Sequence, residues 1–391
     1  NFHNSGSTIG QELAFTLAAG HEYVVKLMEA GLTIDQAART IRFSMAVSSN
    51  YFMEIAKFRA ARMLWANIIK EYGPECDCAM KMRTHAVTSA WNLTAYDPYV
   101  NMLRGTTEAM SAAVSAVHSI EVMPFAAAFE APTEFSARIA RNVQLLLKNE
   151  SHFDNVVDPA GGSYYIETLT KNIAEQAWAL FKQVEEKGGY IKAFESGFIP
   201  DAVAESARKK DMNIATRRQI LLGTNQYPNF NEVADKAVTE ATVTKGVSAT
   251  GTNECGTATT GEAKKLVPYR GGMAFEELRL HVDRSGREPK VFMLTAGTLG
   301  MARARSQFSS NFFGCAGFRI IDNTFFKDVE EGIKAALASK AEIVVLCAAD
   351  DDYTELAPKV LAGLGGKATL VIAGAPESQP QLEAAGIKNF I

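Results

Sequence analysis

Two glycines that follow an apolar run are the first residues of this chain that could form a binding site. Gly297 and Gly300 lie between the strand candidate Val291–Leu294 and a helical stretch. Backbone N–H groups at such a helix N-terminus can bind a phosphate. A tight turn also requires glycine, whatever the loop binds. The turn interpretation is favoured, and a phosphate site is the alternative.

A histidine, an arginine and an acidic run are the other candidate groups. His85 ends the strand candidate Lys81–His85, where a (β/α) barrel carries active-site residues; a hydrogen-bonded structural histidine is the favoured interpretation. For Arg83, a salt bridge is favoured over a phosphate contact. The carboxylates of Asp350–Asp352 suit a cation, but the dipole at a helix N-terminus explains acidic residues more simply.

The cysteines predict neither a metal site nor a disulfide framework. The chain has five cysteines, and Cys76 and Cys78 form a single Cys-x-Cys pair. A structural zinc site needs a second pair at suitable spacing. An odd count without a framework indicates a reducing compartment. We therefore expect a cytoplasmic protein that binds no metal.

The length and net charge of the chain indicate its domain number and exclude some kinds of partner. With 391 residues, of which 47% are hydrophobic, the chain can form two domains. A net charge of −4 argues against nucleic acid as the main partner. No apolar run approaches the ~20 residues of a membrane span. The chain starts at Asn1 and stops at Ile391 without an initiator Met, which favours an internal piece of a longer polypeptide.

Helical periodicity dominates residues 1 to about 225, and the first domain is expected to span residues 1–238. Gln11–Leu32 and Met53–Ile69 have apolar residues at spacings of three and four, typical of half-buried helices. Within the second helix, Lys57 is expected to face outward, and Phe58, Met63 and Trp65 inward. A Thr33–Gln36 capping box starts another helix, which is expected to continue to Ser48–Asn50 and to resume after it. Short strand candidates between helices, Lys81–His85 and Ser119–Met123, predict part of a (β/α) barrel.

Residues 239–266 are rich in Thr, Gly, Ser and Ala, which predicts a flexible linker. Residues 267–391 then alternate strands with helices near 303–314, 327–338, 353–363 and 379–385. Such alternation predicts a flavodoxin-like doubly wound sheet. The five strand candidates are Val291–Leu294, Arg319–Ile321, Ile343–Leu346, Thr369–Ile372 and Asn389–Ile391.

Several segments, in one order, resemble the methylmalonyl-CoA mutase family. They are Gln11–Gly20, Glu54–Trp65, Tyr96–Arg104, Ser136–Asn142 and Asp158–Tyr165. The terminal domain from Val291 resembles the opening of the family's cobalamin-binding domain. The resemblance implies an α/β fold: the C-terminal part of a (β/α)8 TIM-type barrel, then a flavodoxin-like cobalamin-binding-type domain.

The terminal domain departs from the family at its cobalt site. The family motif Asp-x-His-x-x-Gly falls on Gly300, Ala302 and Arg305, and no histidine follows His281. Cobalt needs an imidazole nitrogen that a second group orients, and glycine and alanine supply neither. The family's serine that faces the nucleotide tail falls on Cys347 or Ala348, and a Gly-Gly before the last helix is reduced to Gly374 between two alanines. The resemblance therefore implies that this chain binds no cobalamin.

The barrel departs from the family as well. The family's substrate-contacting histidine falls on Asn1, and an arginine that contacts CoA falls on Thr40. His3 lies two positions further on and is not counted as a substitute. The motif His-x-Gln-Thr-Ser-Gly retains its histidine, His85, but loses its glutamine and final glycine. No catalytic residue is therefore expected.

Losses at both the substrate and the cofactor end resemble the small, non-catalytic subunit of the family's bacterial heterodimers. There a large subunit binds adenosylcobalamin and interconverts methylmalonyl-CoA and succinyl-CoA, and the small subunit supports it. Two alternatives remain. One is a catalytically competent mutase chain that binds cobalamin without histidine ligation. The other is a regulatory module that binds a different ligand, such as a nucleotide.

Overall fold

The computed structural model describes residues 2–244, 264–323 and 325–391. The chain is an α/β protein with two parallel sheets, in two compact units. The first runs to Gln219 and resumes over Ala237–Met273, and the second comprises Ile220–Lys236 and Ala274–Ile391. Asn1 and most of the predicted linker lie outside the described residues.

The first unit contains a three-stranded parallel sheet with helical crossovers. Its strands β1 (Phe43–Val47), β2 (Thr84–Thr88) and β3 (Ser119–Glu121) pair in that order. The helices before and between them are α1 (Ile9–Glu29), α2 (Ile34–Thr40), α3 (Tyr51–Lys70) and α4 (Val100–Val114). Those that follow are α5 (Glu134–Asn149), α6 (Tyr164–Glu186), α7 (Tyr190–Glu195), α8 (Phe198–Ala215) and α9 (Glu240–Thr244).

Capping boxes fix the starts of the first two helices. Thr8 and Gln11 exchange side-chain and backbone hydrogen bonds before α1. Thr33 and Gln36 do the same before α2, as the sequence predicts. Each box satisfies two helix N–H groups that have no intrahelical partner. The helices then pack their apolar faces, α1 and α3 both against α6.

Two predictions for this sheet are wrong. Phe43–Val47 is strand β1, where periodicity predicted continued helix, because alternating large apolar residues suit a half-buried strand. The second strand begins at Thr84 rather than Lys81. His85 therefore lies near the amino end of β2, not at the carboxyl end where a barrel carries catalytic residues.

The second unit is a four-stranded parallel sheet in the order β5-β4-β6-β7. Its strands are β4 (Lys290–Thr295), β5 (Arg319–Ile321), β6 (Ile343–Cys347) and β7 (Thr369–Ile372). The fifth predicted strand contributes one parallel bridge, between Ile372 and Phe390. This order matches the flavodoxin-type doubly wound arrangement. The unit's helices are α10 (Met273–Arg284), α11 (Leu299–Cys315), α12 (Val329–Ser339), α13 (Tyr353–Leu364) and α14 (Gln379–Ala384).

The unit boundaries differ from the domain boundaries that composition predicts. Residues 220–236 pack with the second unit, because the Tyr227 N–H donates to Asn311 Oδ1 over 2.9 Å and Arg279 donates to the Asn229 carbonyl. At the start of the predicted linker, α9 buries Val243. No described helix is long and apolar enough to cross a bilayer.

Candidate functional site

A buried ionic triad lies at the carboxyl end of β1. Lys57 Nζ contacts Glu12 Oε2 at 2.8 Å and Glu54 Oε2 at 2.6 Å, and it also donates to the Ala46 carbonyl. The Lys57 side chain is fully buried, so its predicted outward orientation is wrong, and Met63 is instead 46% exposed. Burial opposes the charge of Lys57, but the two carboxylates outweigh it and raise the pKa of the ammonium group. Lys57 is thus a fixed cation rather than a proton carrier.

A second buried network lies just beyond the carboxyl end of β2. His3 Nε2 is 2.7 Å from Ser89 Oγ, and the Ser89 N–H donates to Glu108 Oε2 over 3.1 Å. Asn92 donates to the other oxygen of Glu108. Burial lowers the pKa of His3 to about 3 and raises the pKa of Glu108 to about 8. Both side chains are therefore neutral at pH 7. The sequence pattern gave no signal for this network, because its members are 86 and 19 residues apart.

The neutral state of Glu108 predicts a pH-dependent stability. A carboxyl group whose pKa is higher in the folded than in the unfolded state favours folding when it is protonated. Its contribution to the free energy of unfolding is complete below the unfolded-state pKa, and it is lost as pH rises toward about 8. Between roughly pH 6.5 and 8 the loss should be about 2 kcal/mol relative to Glu108→Gln. Urea unfolding followed by tryptophan fluorescence checks this, because Trp65, Trp91 and Trp178 all lie in the first unit. If the free energies of unfolding of the unsubstituted protein and of Glu108→Gln changed in parallel between roughly pH 6.5 and 8, Glu108 would not be protonated in the folded protein.

The two predicted substrate positions that the structure describes, Thr40 and His85, lie away from this carboxyl end. Asn1 lies outside the described residues, and Thr40 ends α2, where its hydroxyl donates to the Ala37 carbonyl. His85 lies at the other end of β2, where Nδ1 is 2.8 Å from Ser119 Oγ and Nε2 is 3.6 Å from Glu121. These contacts describe a hydrogen-bonded structural histidine.

In the second unit, Tyr353 fills the space between the carboxyl ends of β6 and β7. Its hydroxyl donates to the Ala373 carbonyl over 2.6 Å and accepts from the Ala348 N–H over 3.2 Å. The side chain is fully buried. Because burial disfavours the phenolate, the pKa of Tyr353 rises to about 12. The ring therefore occupies this space as a neutral part of the core.

Arg305 covers the Tyr353 ring. The guanidinium carbon lies 5.1 Å from the ring centroid, and Nη2 lies 2.8 Å from Asp350 Oδ1. Gly374 has a φ of 114°, and a Cβ there would lie 3.0 Å from Arg305 Cζ. Three of the predicted vestigial positions, Arg305, Ala348 and Gly374, are thus brought together around Tyr353.

The remaining two vestigial positions lie at the start of α11. Gly300 is exposed, and Ala302 is completely buried. Asp352 Oδ2 accepts the Thr298 N–H over 3.0 Å, and the backbone at Gly297 lies against the same carboxylate. An acidic side chain therefore occupies the position where a phosphate was the alternative. Within the acidic run, Asp352 accepts a hydrogen bond from this loop and Asp350 pairs with Arg305.

These residues do not fit cobalamin. The Ala302 side chain has no atom that can ligate cobalt, and Arg305, about one helical turn further along α11, is committed to the Tyr353 ring and to Asp350. Cys347, next to Ala348, remains a thiol because burial raises its pKa to about 12. Among the described residues, no group of three metal-ligating side chains is close enough together to hold an ion.

Comparisons with known proteins confirm the resemblance. The family model described as methylmalonyl-CoA mutase matches residues 1–250. The methylmalonyl-CoA mutase small subunit of Porphyromonas gingivalis is 51% identical over 100% of this chain and 62% of its own length. The small subunit of Streptomyces virginiae is 34% identical over 96% of this chain and 59% of its own. A methylmalonyl-CoA mutase of Rhizobium meliloti is 32% identical over 96% and 61%. This chain thus spans about three fifths of the length of these relatives.

Proposed function

Because this chain belongs to the methylmalonyl-CoA mutase family, we propose that it is part of the small, non-catalytic subunit of that enzyme. It supports a large subunit that binds adenosylcobalamin and interconverts methylmalonyl-CoA and succinyl-CoA, in a cytoplasmic heterodimer. One observation carries the proposal. Ala302 stands where the resemblance puts the family's cobalt-ligating histidine, and Arg305, about one helical turn further along α11, covers the buried Tyr353 ring at the ends of β6 and β7.

The first unit supports the same proposal. We infer that its three parallel strands and helical crossovers belong to the C-terminal part of a (β/α)8 barrel. At the strand ends where such a barrel carries its chemistry, Lys57 is buried and paired with Glu12 and Glu54. Charged groups that are paired with each other in the interior are not available to a substrate, and removing one partner leaves a buried charge uncompensated.

Cobalamin retention tests the proposal directly. The chain is mixed with hydroxocobalamin, desalted, and assayed for cobalt and for the visible spectrum, alongside Ala302→His. We expect neither protein to retain cobalt, because the imidazole alone does not open the space that Tyr353 fills. Stoichiometric retention by the unsubstituted chain would favour the catalytically competent alternative. Retention by Ala302→His alone would show that the space is open.

Substitution of His85 tests the absence of catalytic residues. In the assembled enzyme, His85→Ala should change turnover by less than about threefold, because the imidazole's polar contacts within the described part of the chain are with Ser119 and Glu121. A loss of about 100-fold or more, with the heterodimer intact by gel filtration, would assign His85 a role in the reaction.

A ligand-binding role is the second candidate, and a specific cavity favours it. A cavity of about 820 Å³ beside α11 is lined by Arg303, Asp322 and Asn323, among others. The hydroxyls of Thr295 and Ser310 also line it, and both are buried without a hydrogen-bond partner among the described residues. A nucleotide that raises the melting temperature of the chain but not of Arg303→Ala would support this role.

A further inference from the structure

We infer that Cys76 and Cys78 form a thiol–disulfide exchange site for small anionic disulfides, of which glutathione disulfide is the test compound. The site is independent of the proposed function, and it lies in the first unit between α3 and β2. The two sulfurs are bonded to each other, a pairing that the sequence did not predict.

The pair lies in a loop that solvent reaches. Cys76 is exposed and Cys78 is half-buried, and Asp35 fixes the segment by accepting the backbone N–H groups of Glu75 and Cys76, each over 3.0 Å. The free cysteines of the described residues, Cys315 and Cys347, are buried. Exchange requires access to an attacking thiolate, so the pair in the loop is the reactive one.

The surroundings of the pair are cationic. The Arg39 guanidinium donates to Cys78 Sγ and lies 3.9 Å from Cys76 Sγ. Arginine beside a cysteine favours the thiolate, which is the nucleophile. Cys78 also lines a cavity of about 520 Å³, and the other side chains that line it are Arg39, Arg42, Lys81, Arg83 and His118.

This cavity selects anions. Over residues 2–244, 264–323 and 325–391, its arginines and its lysine form no ion pair with a carboxylate. The acidic side chains close to the pair are Asp35, Glu75 and Asp77, and none of the three lines the cavity. Unpaired cations in a concave site attract anions and raise their local concentration. A small disulfide bearing carboxylates is therefore drawn to the sulfur that lines the cavity.

The exchange is balanced in two steps. In the reduced protein the Cys78 thiolate attacks one sulfur of glutathione disulfide, whose S–S bond breaks and releases one glutathione thiolate. Cys76 then loses its proton, and its sulfur attacks Cys78 Sγ in the mixed disulfide, which releases the second glutathione thiolate. Two protein thiols are oxidised by two electrons, one glutathione disulfide is reduced to two thiols, and the protons pass to the leaving thiolates.

Exchange rates with disulfides of different charge test the inference. The full chain is reduced, desalted and mixed with glutathione disulfide, with neutral 2-hydroxyethyl disulfide or with cationic cystamine. Each rate is divided by the rate at which the same disulfide reacts with dithiothreitol. This normalisation corrects for differences in intrinsic reactivity among the three disulfides. The normalised rate for glutathione disulfide should exceed that for cystamine by about tenfold or more at low salt, and the ratio should fall as salt is added.

Matched variants locate the effect. Arg42→Gln/Arg83→Gln should reduce the preference to within about threefold, whereas Arg138→Gln/Arg141→Gln removes the same charge from exposed positions on α5 and should leave it unchanged. Mass spectrometry of Cys76→Ser should find glutathione trapped on Cys78. An absent charge preference, equal effects of the two double variants, or a reduced pair that does not close on itself would each overturn the inference.

Discussion

Replacing Lys57 with methionine is expected to destabilise the first unit by about 3–5 kcal/mol, the cost of leaving buried charges without their partner. Glu12 and Glu54 would then face each other, and neither side chain is more than 5% exposed. Urea unfolding followed by tryptophan fluorescence reports this unit alone, since all three tryptophans lie in it.

Two further variants separate the charge effect from packing. Lys26→Met removes an exposed lysine paired with Glu29 and should leave the unfolding midpoint unchanged, since exposed ion pairs contribute little. Lys57→Met/Glu12→Gln/Glu54→Gln removes the isolated carboxylates and should be more stable than Lys57→Met alone. If Lys57→Met behaved like Lys26→Met, the triad would not hold this end of the sheet together.

The triad also shows the limit of helical periodicity as a guide to burial. The apolar spacing in α3 predicted the helix correctly and placed Phe58 and Trp65 inside, where both are buried. A charged residue was assigned to the outer face because burying a lysine is costly. Here Glu12, in a different helix, offsets that cost. Such long-range pairing is not visible in local sequence.

The terminal unit was predicted more completely than the first. Each of its strands is a short apolar run followed by a helix, so the pattern alone gives the parallel sheet. In the first unit, β1 was missed because Phe43–Val47 adjoins two helices, and β2 was placed too early. That displacement put His85 at the wrong end of its strand. An error of a few residues in a strand boundary hardly changes the predicted fold. It does change the end of the sheet at which a side chain is expected to lie.

The resemblance suggests Ala302, Ala348 and Gly374 as lost contacts, but it does not show which side chains lie around them. Tyr353 carries no sequence signal of its own, although its hydroxyl contacts three backbone groups at the ends of β6 and β7. The loss of a metal ligand can be read from a single position of a sequence. Whether its space is filled depends on side chains from distant positions, which only the structure brings together.

Replacing Tyr353 with alanine should therefore destabilise the second unit by about 3–5 kcal/mol, the range for emptying an aromatic site in a core. Tyr353→Phe keeps the ring but leaves the Ala348 N–H without its acceptor, and it should cost about 1–3 kcal/mol. Amide hydrogen exchange in peptides that cover β6 and β7 measures both losses in the unit concerned. Leu278→Ala, at a 50% exposed position of the same unit, is the matched control.

Tyr353→Ala also separates the two reasons why this chain is expected to lack cobalamin. The substitution empties the Tyr353 site but supplies no ligand, because the Ala302 side chain has no lone pair, so the variant should still retain no cobalt. Combined with Ala302→His, it provides both an imidazole on α11 and space at the ends of β6 and β7. Cobalt retention by the double variant alone would show that the filled space and the missing ligand each suffice to exclude the cofactor. An unchanged stability of Tyr353→Ala would instead mean that the ring fills nothing essential, and the observation that carries the proposed function would fail.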